Sequence, residues 1–198
     1  MSGRYREVMF TPPVLAAQQQ AYGRAGAIPA QPAVDPLGED EMNFIAERDS
    51  FYLATVSPTG WPYLQHRGGA PGFLRVLGPT RLGFADYAGN RQLISTGHVA
   101  TNDRVSLFLM DYPRRTRLKI IGHASVRDVA ADPALARSLA VAGERARVER
   151  LFVIDVVSFD WNCPQHITPR FTAAQIKESI APLQARIREL EARLAARG

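Results

Sequence analysis

Apolar and polar positions divide the chain into three stretches. Residues 1–36 are rich in Ala, Gln, Gly and Pro. They predict a helix around Val14–Gly23 and then a loop carrying Pro29, Pro32 and Pro36. Met42, Ile45 and Ala46 stand near helical spacing, which predicts a short amphipathic helix over Glu39–Arg48, ended by Asp49 and Ser50. From Phe51 the pattern changes to strands. Phe51–Ser57 is aromatic and β-branched, and Ser57-Pro58-Thr59-Gly60 has the Pro and Gly positions of a type I turn. Trp61–Arg67 resumes as the second arm of a hairpin. Phe73–Leu77 and Arg81–Tyr87 pair across Gly78-Pro79, and Asn90–His98 predicts a short helix.

Arg104–Asp111 is nearly continuous in apolar residues and reads as a strand buried on both faces. Arg117–Asp128 alternates, with Leu118, Ile120, Gly122, Ala124 and Val126 on one side and Arg117, Lys119 and His123 on the other. A helix follows, with Asp132 as its N-cap and Pro133 at its first position. Leu151–Trp161 is the last strand. Six or seven strands with mostly short connections and no βαβ repeat predict an antiparallel sheet closed into a small barrel, because closure removes exposed edges. The expected fold is therefore mainly β (α+β): a six- to seven-stranded antiparallel split β-barrel with flanking helices. Its expected divisions are an N-terminal extension over 1–41, a barrel over 42–170 and a C-terminal helix over 171–198.

In that last stretch Ile176, Ile180, Leu183, Ile187, Leu190 and Leu194 repeat at spacings of four and three, an a/d seam of about three heptads. Two readings stay open: a helix laid on its own domain, or a coiled-coil contact between subunits.

Composition adds exclusions. Apolar residues make up 46% and charged residues 22% of the 198, ordinary for a globular domain. No apolar run of about 18 residues predicts a membrane span. Met1–Phe10 has no apolar signal core, so the expected location is cytoplasmic. Cys163 is the only cysteine, and the four histidines lack metal-ligand spacing, so no metal site is expected. The net charge of +5 comes partly from the C-terminal segment. The rest clusters at Arg91, Arg114, Arg115, Arg117 and Lys119. No aromatic interleaves Arg114–Lys119, so a nucleic acid is not the expected partner.

No GxSxG, GxGxxG or Walker loop occurs, and no catalytic residue stands out. What remains is a series of polar groups set at the ends of apolar strands. Gln65-His66-Arg67-Gly68-Gly69 is one; period two puts Gln65 and Arg67 on one face and His66 on the other. The second, Phe84 to Gln92, is a strand running through Gly89 and Asn90 into a helix start, suited to an anion beside Arg91. The third is Arg114–Lys119, and the fourth runs from Asp160 through Trp161 and Cys163 to His166.

Taken in order, these pieces resemble the pyridoxamine 5'-phosphate oxidase-like, FMN-binding split-barrel family, from about Met42 to Arg170. Phe51-Tyr52-Leu53-Ala54-Thr55-Val56 with Gly60-Trp61-Pro62-Tyr63, the Phe84–Gln92 stretch, Arg104–Phe108, Leu118–Ala124 and the Trp161 segment carry the likeness. The resemblance implies FMN in a groove between two subunits and a flavin oxidoreductase acting on a small molecule. The implied partners are a second copy, that substrate and NAD(P)H as electron donor. Gln65, His66, Arg67 and Gly68 would run along the flavin and ribityl chain. Asn90, Arg91 and Gln92 would hold the phosphate, where many members have Arg-Lys. Arg117, with Lys119 beyond it, falls where a polar residue contacts the ring, and Trp161 and Gln165 would come from the partner. Ala70 stands near the place of a lysine in members that oxidise pyridoxamine phosphate, and their C-terminal Arg-x-His motif is missing. The resemblance therefore implies the cofactor rather than that substrate. A non-catalytic flavin- or haem-binding protein, and an F420-dependent reductase on the same barrel, are the alternatives.

Overall fold

Alternation in the strand segments becomes a seven-stranded antiparallel sheet in the order β2-β1-β5-β6-β7-β4-β3. The computed structural model describes all residues except Met1, Pro29, Asn90, Ala142, Arg145, Asn162, Cys163, Arg197 and Gly198. β1 (Ser50–Val56) and β2 (Pro62–Gly68) form the predicted hairpin. Its turn is closed by the Gly60 N–H donating to the Ser57 carbonyl at 2.9 Å. Gly60 has φ +86°, a left-handed backbone that a residue without Cβ adopts at no steric cost. β3 (Arg75–Gly78) and β4 (Arg81–Tyr87) form the second hairpin. β5 (Arg104–Asp111), β6 (Thr116–Asp128) and β7 (Val148–Trp161) form the central ladders.

Phe51, Leu53, Leu107, Leu118, Phe152 and Ile154 meet inside with almost no exposure. Burial of such side chains contributes about 1.5–3 kcal/mol each. β5 departs from the expectation of burial on both faces. Val105, Leu107 and Leu109 point into the core, while Ser106, Phe108 and Met110 are only half-buried in the single chain.

Helices flank the sheet. Ser2 caps α1 (Gly3–Met9), an element the sequence reading did not include, through the Tyr5 N–H. Ser2 Oγ also meets Ser158 Oγ at 2.9 Å, and Tyr5 is buried. α2 (Pro12–Tyr22) ends at Gly23 in the left-handed region, and α3 is Glu39–Ala46. α4 (Ile94–Val99) is shorter than the predicted Asn90–His98, because Arg91 and Leu93 hold φ of +61° and +54°, outside helical space. Asp132 caps α5 (Pro133–Leu139) as expected, accepting from the Leu135 N–H at 2.9 Å. α6 (Ala173–Ala195) opens on a Thr172/Gln175 capping box, and none of its residues is buried.

The two ends of the strand order, β2 and β3, are not hydrogen-bonded to each other, so side chains bridge the split. Tyr63, Gln65 and Arg67 of β2 stand opposite the core residues Thr55, Leu53 and Phe51 of β1 and therefore face inward. Arg67 Nη1 reaches Asp86 Oδ1 of β4 at 2.6 Å, and Arg150 Nε of β7 donates to Asp86 Oδ2 at 2.9 Å. The Arg67 guanidinium also lies 5.5 and 5.3 Å from the ring centres of Phe84 and Phe152, which stack on each other at 4.8 Å. Such cation–π contacts add attraction where water is thinned.

Asp86→Ala leaves two poorly exposed guanidiniums without their shared carboxylate, and urea denaturation should show a loss of about 2 kcal/mol. Asp155→Ala, which breaks an Arg81 pair exposed by about half on each side, should change stability by less than about 1 kcal/mol. At Gly122, a Cβ would overlap the backbone oxygen of Asp155 where the β6–β7 register shifts. Gly122→Ala is expected to cost about 2 kcal/mol in thermal unfolding, against near-neutral Gly78→Ala, where nothing lies within 4 Å.

Candidate functional site

Inward positions of β2 turn polar where the barrel opens, and a cleft of about 230 Å³ forms there. Tyr63, Gln65 and Arg67 supply one wall; Asp86, Tyr87 and Arg150 supply the other. Gly89, Arg91, Gln92 and Leu93, with the first turn of α4, close the end. α4 is held in place by short polar contacts: Ser95 Oγ donates to Gln65 Oε1 at 2.9 Å, and His98 Nδ1 lies 3.0 Å from Thr55 Oγ1. Tyr63 meets the His98 ring edge-on at 5.8 Å. Because the Gln65 carbonyl oxygen is taken by Ser95, its amide presents N–H donors.

The lining carries three guanidiniums, Arg67, Arg91 and Arg150, against the single carboxylate of Asp86. Glu149, outside the lining, takes a further hydrogen bond from Arg150 at 2.8 Å. Burial works against the Arg150 charge, but the hydrogen bonds and charges of Asp86 and Glu149 outweigh it and leave its pKa raised. Arg91 is exposed, on a backbone in the left-handed region. Non-glycine residues held there cost energy and gather at ligand-gripping loops. Arg67 Nε is buried with no hydrogen-bond partner. The cleft is thus a concave site with a surplus of positive donors, a chemistry that suits an anion such as a phosphate monoester.

Of the sequence-predicted set, Gln65, Arg67, Arg91 and Gln92 come together in this cleft. Asn90 lies outside the described residues. His66 and Gly68 line a second depression of similar size, with Gly69, Ala70, Phe73 and Glu144; Arg67, Asp86 and Tyr87 are shared by the two. The His66 ring packs edge-on against Tyr52 at 5.7 Å. Period-two geometry separates His66 from its two neighbours, as the alternation requires.

The remaining four residues are not at the cleft of this chain. Lys119 stands opposite Asp160 on the β6–β7 ladder, forms a 2.6 Å ion pair with it and sits 5.1 Å from the Tyr5 ring centre. Trp161 donates through Nε1 to Glu41 and meets Phe44 edge-on at 4.9 Å. Arg117 is half-buried, 5.7 Å from the Phe108 ring centre, and its Nε is buried with no hydrogen-bond partner. Gln165 is exposed in the turn after β7. Sequence reasoning missed Asp86 and Arg150 as site residues. The available signal was a charged residue at an inward position of each strand, but only the ladder reveals that the two stand opposite each other.

The histidines lie apart: His66 packs on Tyr52, His98 meets Thr55, and His123 pairs with Asp103 at 3.0 Å on the surface. Among the described residues no group of three His, Cys, Asp or Glu could hold a metal ion, and no helix is long and apolar enough to cross a membrane.

No curated protein sequence matches the chain. Several solved structures are similar to the chain at low sequence identity. HupZ of Group A Streptococcus is 14% identical, over 68% of this chain and 99% of that one, with a TM-score of 0.49. A candidate pyridoxamine 5'-phosphate oxidase of Lactobacillus delbrueckii is 20% identical over 64% and 95%, TM-score 0.49. An FMN-binding protein of Syntrophomonas wolfei is 11% identical over 61% and 81%, TM-score 0.42. A family model described as pyridoxamine 5'-phosphate oxidase matches residues 37–159, more than half of the chain and all seven strands but for the final residues of β7. With its seven-stranded split barrel, the chain belongs to the pyridoxamine 5'-phosphate oxidase family.

Proposed function

We propose that the protein is an FMN-dependent oxidoreductase and that the cleft between β2 and β4 receives the phosphate end of the cofactor. One observation carries this reading: Gln65 and Arg67 of β2 and Arg91, which lies beyond β4, line a single concavity in which positive charge exceeds negative. FMN phosphate bears nearly two negative charges near neutral pH, which three guanidiniums and one carboxylate complement. The buried, unpartnered Nε of Arg67 is a donor that a polar ligand would satisfy. At about 230 Å³ the cleft is smaller than the roughly 300–1,000 Å³ of sites that enclose a whole drug-sized ligand. It fits the phosphate and part of the ribityl chain, with the ring lying beyond it.

Bound FMN would supply electron and hydride transfer, for which the side chains have no equivalent. The chain's own part is positional. Asp86 fixes Arg67 and Arg150, Ser95 orients the Gln65 amide, and Arg91 offers a bidentate grip on the phosphate.

A homodimer belongs to the same reading. The outer side of β2, β1 and β5 exposes Leu64 and leaves Phe108 and Met110 half-buried. Arg117, with its buried Nε unpaired, stands beside Phe108 on that side. A second copy over this face would bury β5 on both faces, as its apolar run suggests, and would bring Arg117 to an interface.

Flavin fluorescence titration tests the proposal. FMN is expected to bind the purified protein and to show a flavin spectrum that responds to reductant. Arg91→Ala should weaken FMN by roughly tenfold to a hundredfold, the worth of a charge-assisted hydrogen bond, while leaving riboflavin, which lacks the phosphate, unaffected. Failure to bind FMN, or equal affinity for both flavins in the unaltered protein, contradicts it.

A further inference from the structure

α6 carries an apolar seam that nothing in the single chain covers. Ile176, Ile180, Leu183, Ile187, Leu190 and Leu194 are between 38% and 71% exposed, and no residue of the helix is buried. A helix laid on its own barrel would bury that stripe, so the structure removes the first of the two readings that spacing alone left open. We infer that α6 pairs, parallel and in register, with the α6 of a second copy.

The core positions favour this partner. In heptad register Ile180 and Ile187 fall at a, and Leu183 and Leu190 fall at d, the β-branched/Leu combination of two-stranded parallel coils. The flanks favour it too. Arg186 occupies g and Glu191 occupies e, five residues on, the spacing at which g of one parallel helix meets e of the other. Two-fold symmetry forms that opposite-charge pair twice. Antiparallel pairing instead sets g against g, and with the helices fully overlapped Arg186 would face the same residue of the second copy. Within one chain Arg186 holds Glu189 at 2.6 Å and Arg193 holds it at 3.5 Å, all three side chains at least half exposed. Exposed pairs of this kind contribute little, so Arg186 exchanges partners at small cost. Pro182 lies inside the helix but at position c, away from the seam. About three heptads are marginal as an isolated coil; the barrels to which the helices are tethered raise their effective concentration if those also associate. The inference does not depend on the flavin reading.

Disulfide trapping in the full chain, with Cys163→Ser to remove the native thiol, tests it. Leu190→Cys places thiols face to face across the proposed seam, whereas Ala185→Cys places them at f, on the outside. Mild oxidation is expected to give a covalent dimer from the first and none from the second. In the Leu190→Cys background, Arg186→Glu should slow formation of the dimer band severalfold, and Arg186→Glu with Glu191→Arg should restore it, a rescue that the internal Arg186–Glu189 pair does not predict. No cross-link at 190, equal cross-linking at 185, indifference to Arg186→Glu, or failure of the double reversal to rescue overturns the inference. None of these positions touches the barrel core, and the 185 variant controls for folding.

Discussion

A sheet whose edge strands do not meet must be held across its gap by side chains, and here a single carboxylate does it. Asp86 accepts Arg67 from one side of the split and Arg150 from the other, with the stacked Phe84 and Phe152 beneath the Arg67 guanidinium. A lone buried guanidinium would be heavily penalised. Two of them sharing one acceptor at a half-open gap are tolerable, because the remaining donors can reach water or a ligand. The same arrangement fixes where the cleft lies, how wide it is and which sign of charge it presents.

Much of the barrel could be read from side-chain alternation. β4 and β5 have the predicted bounds, β1, β2 and β6 are shifted by a residue or two, and the Ser57–Gly60 turn and the Asp132 cap are as expected. α1 escaped notice because its seven residues carry only one buried side chain, Tyr5, too few for a periodic signal. α4 was overextended because the backbone at Arg91 and Leu93 is left-handed, a choice dictated by the loop's surroundings rather than by these residue types.

The site was legible in part for a related reason. Period two separated Gln65 from His66, and the structure keeps those two in different depressions while Arg67 borders both. Convergence of β2 with Gly89 and Arg91–Leu93 is a matter of topology, which local pattern does not encode. Lys119 and Trp161 look alike in sequence whether they face a cofactor or a neighbouring strand. Within the single chain Lys119 pairs with Asp160 across the β6–β7 ladder and Trp161 packs on Glu41 and Phe44 of α3, contacts that depend on tertiary structure.

The N-terminal segment divides the outer surface of the sheet unequally. Ser2 and Asp35 both bond Ser158 of β7, at 2.9 and 2.6 Å, and Tyr5 sits by Lys119 of β6, so that half is roofed by the chain's own beginning. On the β2–β1–β5 half Leu64 is exposed and Phe108 and Met110 are half-buried. The roof would therefore act as a stencil for any second copy meeting the sheet: it leaves part of the width for contact and works against the staggered, open-ended stacking that a sheet bare along its whole width would invite.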